Sequence, residues 1–236
     1  MLSACATYDS APRSVLIVAP HPDDETLGTG GQIALLAKEG YSIHILVLTD
    51  GSRLFVSRFG TETQPPPSEI SNRRKRETER TVTHLGADPR NIRYLDFPDG
   101  SLSLRIEDAA SIVAATIRNL DPARVYVTSA FEFHPDHRAA NAVVKQAYAR
   151  LPGNKPDLWE YCVGPRPEFG PGDGPERLVE VDITPVLVRK TEAVGMFACH
   201  LDITVNGQTE PLWKDGSKYL NDTERFLVTP GEHVVD

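Results

Sequence analysis

Two short clusters of metal-competent side chains stand out in this 236-residue chain: His21-Pro22-Asp23-Asp24 and His134-Pro135-Asp136-His137. A catalytic zinc takes three protein nitrogen or oxygen ligands and keeps one position for water. Water on such a metal has its pKa lowered towards about 7, and an acid–base group must carry the proton to the leaving atom. Two histidines and one carboxylate as ligands leave a second carboxylate and a third histidine for that work. The two clusters supply all five, although spacing alone does not say which residue takes which task. An ordinary helix N-cap accounts for one aspartate at a helix start, where it accepts orphan N–H groups and complements the dipole. It does not account for two aspartates beside His-Pro, nor for a second His-Pro-Asp-His.

The elements around the clusters explain how they meet. Ser14 to Ala19 is an apolar run suited to a buried parallel strand, and the first cluster follows it directly. Thr26 to Glu39 has helical spacing and stops at Gly40, and Ile43 to Leu48 is a second β-branched run. Strand, helix and strand make a βαβ unit with a right-handed crossover. Further on, helices fit Ser71 to Leu85, Ile106 to Asn119, Arg138 to Arg150, Thr184 to Phe197 and the stretch Tyr219 to Phe226. Strands fit Ile92 to Leu95, Arg124 to Thr128, Leu158 to Val163 and Leu178 to Val181, so the second cluster follows the 124–128 strand. This alternation predicts a three-layer α/β/α sandwich with a Rossmann-like, mostly parallel sheet, as one domain over residues 1–236 with a poorly ordered tail at 1–13. Ligands of such sheets bind outside the carboxyl ends of the strands. Residues 51–69, with Pro65-Pro66-Pro67, are expected to form a mobile flap, and the Pro/Gly-rich stretch 164–175 to border the site. Gly28-Thr29-Gly30-Gly31 lies inside the first helix and lacks the acidic partner of a dinucleotide fingerprint. Those glycines are expected to let the helix approach the sheet closely.

Composition narrows the partners. A net charge of −8 excludes a phosphate-tracking nucleic-acid surface. The basic run Arg73-Arg74-Lys75-Arg76 is followed by Glu77 and Glu79 and reads as a solvated helix face carrying one functional arginine. Cys5, Cys162 and Cys199 form no CxxC pair, so no disulfide framework is expected. No apolar run approaches the ~18 residues of a membrane-spanning helix. Leu2-Ser3-Ala4-Cys5 is similar to a lipoprotein cleavage box but lacks the upstream charged and apolar regions. A cytoplasmic protein is therefore expected.

The string Ala19-Pro20-His21-Pro22-Asp23-Asp24-Glu25 and the downstream His134-Pro135-Asp136-His137 resemble the paired signatures of the PIG-L/LmbE-like deacetylase family. Weaker echoes are Leu48-Thr49-Asp50-Gly51, Arg74 with Glu77, Leu85-Gly86 and Phe97-Pro98-Asp99-Gly100. The resemblance implies a zinc-dependent hydrolase that removes the acetyl group from a small N-acetylated amino-sugar conjugate of the GlcNAc type. It implies His21, Asp24 and His137 as metal ligands and Asp23 as the general base that later serves as acid. His134 becomes the cationic or hydrogen-bonding group on the oxyanion, Arg74 a contact to sugar hydroxyls, and Asp136 a residue orienting a neighbouring histidine. Iron(II) is an alternative to zinc, because a His₂/carboxylate site binds both. The family also allows a homo-oligomer. Pro20 stands where family members often have alanine, and Glu132 where some carry a tyrosine. His200 is a faint echo of a C-terminal segment of the family. Two rivals are an amidase of the same fold that cleaves a larger acyl group, and a non-catalytic sugar- or nucleotide-binding module. The five intact site residues speak against the second.

Overall fold

The computed structural model of the chain describes residues 13–54, 63–163, 176–197, 204–205, 208–209 and 219–232. Strand β1, Ser14–Ala19, turns Val15, Ile17 and Ala19 to one face and Leu16 and Val18 to the other, and all five are buried. A strand covered on both faces has no polar side, which is why its sequence is a continuous apolar run. Along the chain follow α1 (Asp24–Lys38), β2 (Ser42–Thr49), β3 (Thr63–Gln64), α2 (Pro67–Leu85), β4 (Ile92–Phe97) and α3 (Ile106–Leu120). Then come β5 (Arg124–Thr128), α4 (Pro135–Tyr148), β6 (Asp157–Tyr161), β7 (Arg177–Asp182), α5 (Leu187–Val194), β8 (Thr204–Val205), β9 (Gln208–Thr209) and β10 (Thr223–Thr229).

Seven strands form one sheet in the order β4-β2-β1-β5-β6-β10-β7. The first five are parallel, whereas β10 runs antiparallel to both β6 and β7. Helices α1, α2 and α5 cover one face over Ile17, Ile33, Val82, Leu85 and Ala193. Helices α3 and α4 cover the other over Leu16, Val18, Val113 and Val143. The expected three-layer sandwich with a mostly parallel sheet is the fold observed. A short three-stranded sheet of β3, β8 and β9 stands apart from it.

Three expectations change. The stretch Tyr219 to Phe226 is not a helix: Thr223–Thr229 forms β10, inserted between β6 and β7. Helix α2 begins at Pro67, inside the expected 51–69 loop, because Pro66-Pro67 fits a helix start, where no N–H is needed. Thr184 to Phe197 is a 3₁₀ turn, Thr184–Val186, followed by an α-helix that ends at Val194. The tail, residues 55–62 of the expected flap, 164–175 and His200 lie outside the described residues. No described helix is long and apolar enough to cross a membrane.

Gly28 lets α1 approach the sheet closely as expected, and Gly31 lets it approach the segment after β7. A Cβ on Gly28 would lie 2.2 Å from the ring of Tyr161 on β6, and one on Gly31 would lie 2.5 Å from Ile183. The helix also breaks there, with Thr29 at φ −133° and ψ 15°. Beyond the break, the Glu224 carboxylate of β10 accepts the N–H groups of Gly31 at 2.7 Å and Gln32 at 2.8 Å, with Lys190 Nζ at 2.7 Å.

Candidate metal centre

Neighbouring β1 and β5 lead to helices on opposite faces, α1 on one and α4 on the other. The connections after the two strands must therefore diverge, which opens a crevice at their carboxyl ends. Both histidine clusters begin in these connections and run into the first turn of the helix that follows.

The turn after β1 is tightly specified. Asp23 has φ 131°, a conformation that side chains rarely adopt and that costs about 1–3 kcal/mol. Its N–H donates to Glu25 Oε2 at 3.1 Å, and its Oδ1 accepts Arg74 Nη2 at 2.8 Å. Arg74 reaches in from α2 and also donates to Pro22 O at 3.1 Å and Gly51 O at 2.8 Å. It is buried, so the N–H groups holding the turn are shielded from water. Gly51, at φ +60°, leaves space for this arginine: a Cβ there would lie 2.7 Å from Arg74 Nη1. Arg73, the neighbouring residue in the basic run, is a surface residue paired with Glu69 at 2.7 Å.

Asp24 Oδ2 stands 3.0 Å from His21 Nδ1 and 3.2 Å from His137 Nε2. Around a tetrahedral zinc with bonds of about 2.0–2.1 Å, ligand atoms sit about 3.3–3.4 Å apart. Both distances are close to that spacing, so this buried donor set fits a metal ion. Burial opposes charge on Asp24, yet His137 and His21 hold its pKa well below the carboxylate range. Burial likewise opposes the imidazolium of His137, and Asp24 and Glu132 outweigh it, raising its pKa to about 9.

The other ring nitrogens decide the tautomers. His21 Nε2 faces two carboxylates, Asp136 Oδ2 and Asp99 Oδ1, each at 3.3 Å, which favour a hydrogen on it; Nδ1 would then offer its lone pair to a metal held together with Asp24. Asp136 is fixed in turn by the N–H groups of Gly100 at 2.7 Å and Leu102 at 3.1 Å. Nitrogens of His21, His134 and His137 lie within 4.8 Å of one another. His134 Nδ1, however, accepts the Asp136 N–H at 3.2 Å as the cap of α4. Its Nε2 therefore carries the hydrogen and has no lone pair for a metal. Burial, together with the nearby His21 and His137, pushes the His134 pKa down to about 4, which keeps it a neutral donor.

The seven residues given roles from the sequence, His21, Asp23, Asp24, Arg74, His134, Asp136 and His137, thus gather at one place. Sequence reasoning passed over Asp99, Glu25 and Glu132 as site residues. Asp99 lies in the noted Phe97-Pro98-Asp99-Gly100 string, and its Oδ2 accepts the Arg53 N–H at 2.8 Å. Asp50, from the other noted string, accepts the Asp99 N–H at 3.2 Å, so the two strings lock together. Burial and the charge of Asp23 push the Glu25 pKa up to about 7.

Residues 16–148 match the model of the PIG-L family, described as GlcNAc-PI de-N-acetylase. A diacetylchitobiose deacetylase of Thermococcus kodakarensis is 36% identical over 152 residues, covering 62% of this chain and 54% of the relative. A probable N-acetyl-alpha-D-glucosaminyl L-malate deacetylase 2 of Bacillus cereus is 32% identical over 143 residues, covering 59% and 63%. The chain thus matches little more than half the length of these curated relatives. Among solved structures, an N,N'-diacetylchitobiose deacetylase from Pyrococcus horikoshii superposes with a TM-score of 0.71 over 93% of this chain and 85% of that one, at 20% identity. With more than half of its residues matched to the family model and both signatures meeting in one crevice, the chain belongs to the PIG-L family.

Proposed function

We propose that this chain is a metal-dependent hydrolase that removes the acetyl group from an N-acetylated amino sugar of the GlcNAc type. The observation that carries the reading is the meeting of His21 Nδ1 and His137 Nε2 on one oxygen of Asp24, with Asp23 next in the chain. The relatives' names as deacetylases of GlcNAc-type compounds supply the substrate class. A zinc or iron(II) ion held by His21, Asp24 and His137 would supply Lewis acidity to the attacking water and the acetyl carbonyl.

The remaining steps fall to the chain's own residues. Asp23 takes a proton from the attacking water as the new C–O bond forms, then delivers it to the sugar nitrogen as the C–N bond breaks. Acetate and a free amine leave. His134 donates its Nε2–H to the acetyl oxygen as negative charge builds there, a contribution of about 3 kcal/mol. Asp136 and Asp99 keep the His21 tautomer in place.

Arg74 holds Asp23, and the sugar contact that the resemblance implies for it is a second role. The Arg74→Lys variant keeps the charge and loses the fork that spans Asp23, Pro22 and Gly51. Its kcat is expected to fall by about 10²-fold, because small misplacements of a catalytic group cost that much. A KM that rises alongside reports the sugar contact, and an unchanged KM confines Arg74 to holding Asp23.

The test is acetate release from N-acetylglucosaminyl compounds by metal-loaded and chelator-stripped protein. Activity is expected to vanish on stripping and to return with zinc or iron(II). Silence in a protein that holds one metal ion transfers the reading to an amidase for a larger acyl group. Silence without bound metal overturns the enzymatic reading.

A further inference from the structure

We propose that Glu132 is the positioning residue for His137, fixing the ring so that Nε2 is the atom turned to the metal. The inference rests on the metal site proposed above. Glu132 sits in the connection between β5 and α4, two residues before His134, and is buried. Its Oε2 lies 3.7 Å from His137 Nδ1, a buried nitrogen without a hydrogen-bond partner among the described residues. A carboxylate beside that nitrogen favours a hydrogen on it and repels a lone pair there. The lone pair is thereby assigned to Nε2, the nitrogen facing Asp24. The gap exceeds a hydrogen bond, so the carboxylate acts on the ring through its charge.

Glu132 is held both at its carboxylate and along its backbone. Its Oε1 accepts the Val163 N–H just beyond β6. The Glu132 N–H donates to Ser129 O at 3.2 Å, and the Glu132 carbonyl accepts Arg138 Nη1 at 2.8 Å. Thr128 Oγ1 fixes the His137 carbonyl at 2.9 Å, so backbone and ring are constrained separately. Carboxylates behind ligating histidines set ring orientation and basicity, and their loss weakens metal binding by about 10–100-fold.

Glu132→Gln separates this role from a purely structural one. The amide oxygen can still accept the Val163 N–H, but an NH₂ group then faces His137 Nδ1–H, donor against donor. The zinc Kd, read by competition with a chromophoric chelator, is expected to rise about 10–100-fold with the thermal midpoint nearly unchanged. The visible absorption of the cobalt(II)-loaded variant is expected to shift from that of the wild type. A Glu132→Gln variant that binds zinc as tightly as the wild type overturns the inference and leaves the metal site standing. Wild-type protein that takes up neither zinc nor iron(II) overturns the metal site, and the inference with it. Nitrogen NMR of zinc-loaded wild type gives a check that needs no variant: His137 Nδ1 protonated and Nε2 metal-bound supports the assignment, and the reverse overturns it.

Discussion

Replacing Asp23 with Asn is expected to lower kcat by about 10²–10⁴-fold, the range for losing a positioned general base. Metal content and thermal midpoint are expected to stay near wild type. The amide still offers Oδ1 to Arg74 Nη2, the contact of 2.8 Å that fixes the side chain. Asparagine tolerates positive φ better than most residues, so the φ of 131° at this position remains accessible. What the substitution removes is the capacity to hold a proton between water and the leaving nitrogen. Acetate release at saturating substrate, with metal content measured on the same sample, reads both halves. A variant with wild-type kcat would transfer the base role elsewhere, and Glu25 is the nearest candidate, since its Oε2 already accepts the Asp23 N–H. A variant that loses its metal would make Asp23 a ligand.

The centre was legible where its chemistry lies next to a strand. His21 follows a continuous apolar run, and His134 and His137 follow another, so the topology rule for parallel sheets brings them together without any tertiary information. What spacing left open was the division of labour, and the contact made by the second nitrogen of each ring is what supports the division proposed above. His134 is removed from the ligand set because Asp136 N–H occupies its Nδ1, a capping contact with no signature beyond His-Pro-Asp. Asp99 was passed over as a site residue because the histidine it faces, His21, is far away in sequence, and Glu132 because nothing in its spacing from His137 marks a contact with the ring. Asp99 even sits in a turn whose composition, Asp-Gly, explains itself locally. Arg74 stands beside Asp23, but its three acceptors, Pro22 O, Gly51 O and Asp23 Oδ1, are set by the way α2 packs beside the β1 and β2 turns and have no signature in the sequence.

The reading of Tyr219 to Phe226 as a helix failed for a related reason. In β10 the burial runs in at Glu224, out at Arg225 and in at Phe226, the alternation of a strand. A glutamate at an inward position hides that alternation. It is tolerated because Lys190 and the N–H groups of Gly31 and Gln32 surround its carboxylate. None of these partners is near it in sequence.

That same carboxylate carries the largest stability effect expected of a single side chain. The Glu224→Ala substitution leaves the ammonium of Lys190, 3% exposed, without its counter-ion. It also strips the acceptor from two N–H groups at the break in α1, at the start of its second segment. Breaking a buried ion pair by removing one partner costs about 3–5 kcal/mol, which for a chain of this length lowers the thermal midpoint by roughly 10 °C. Lys190→Met is expected to cost less, because the carboxylate left behind keeps both backbone donors and the methionine fills the space of the lysine stem. The order of the two variants in thermal or denaturant unfolding is therefore the informative quantity. Equal losses would mean that the ion pair carries the stability and the helix cap little. A smaller loss for Glu224→Ala than for Lys190→Met would overturn the account of the break in α1. Because that break lies a few residues beyond Asp24, activity in Glu224→Ala is expected to fall at temperatures below its own midpoint. Wild-type kcat up to the midpoint would show that the turn holding His21, Asp23 and Asp24 is secured by Arg74 and Glu25 without help from β10.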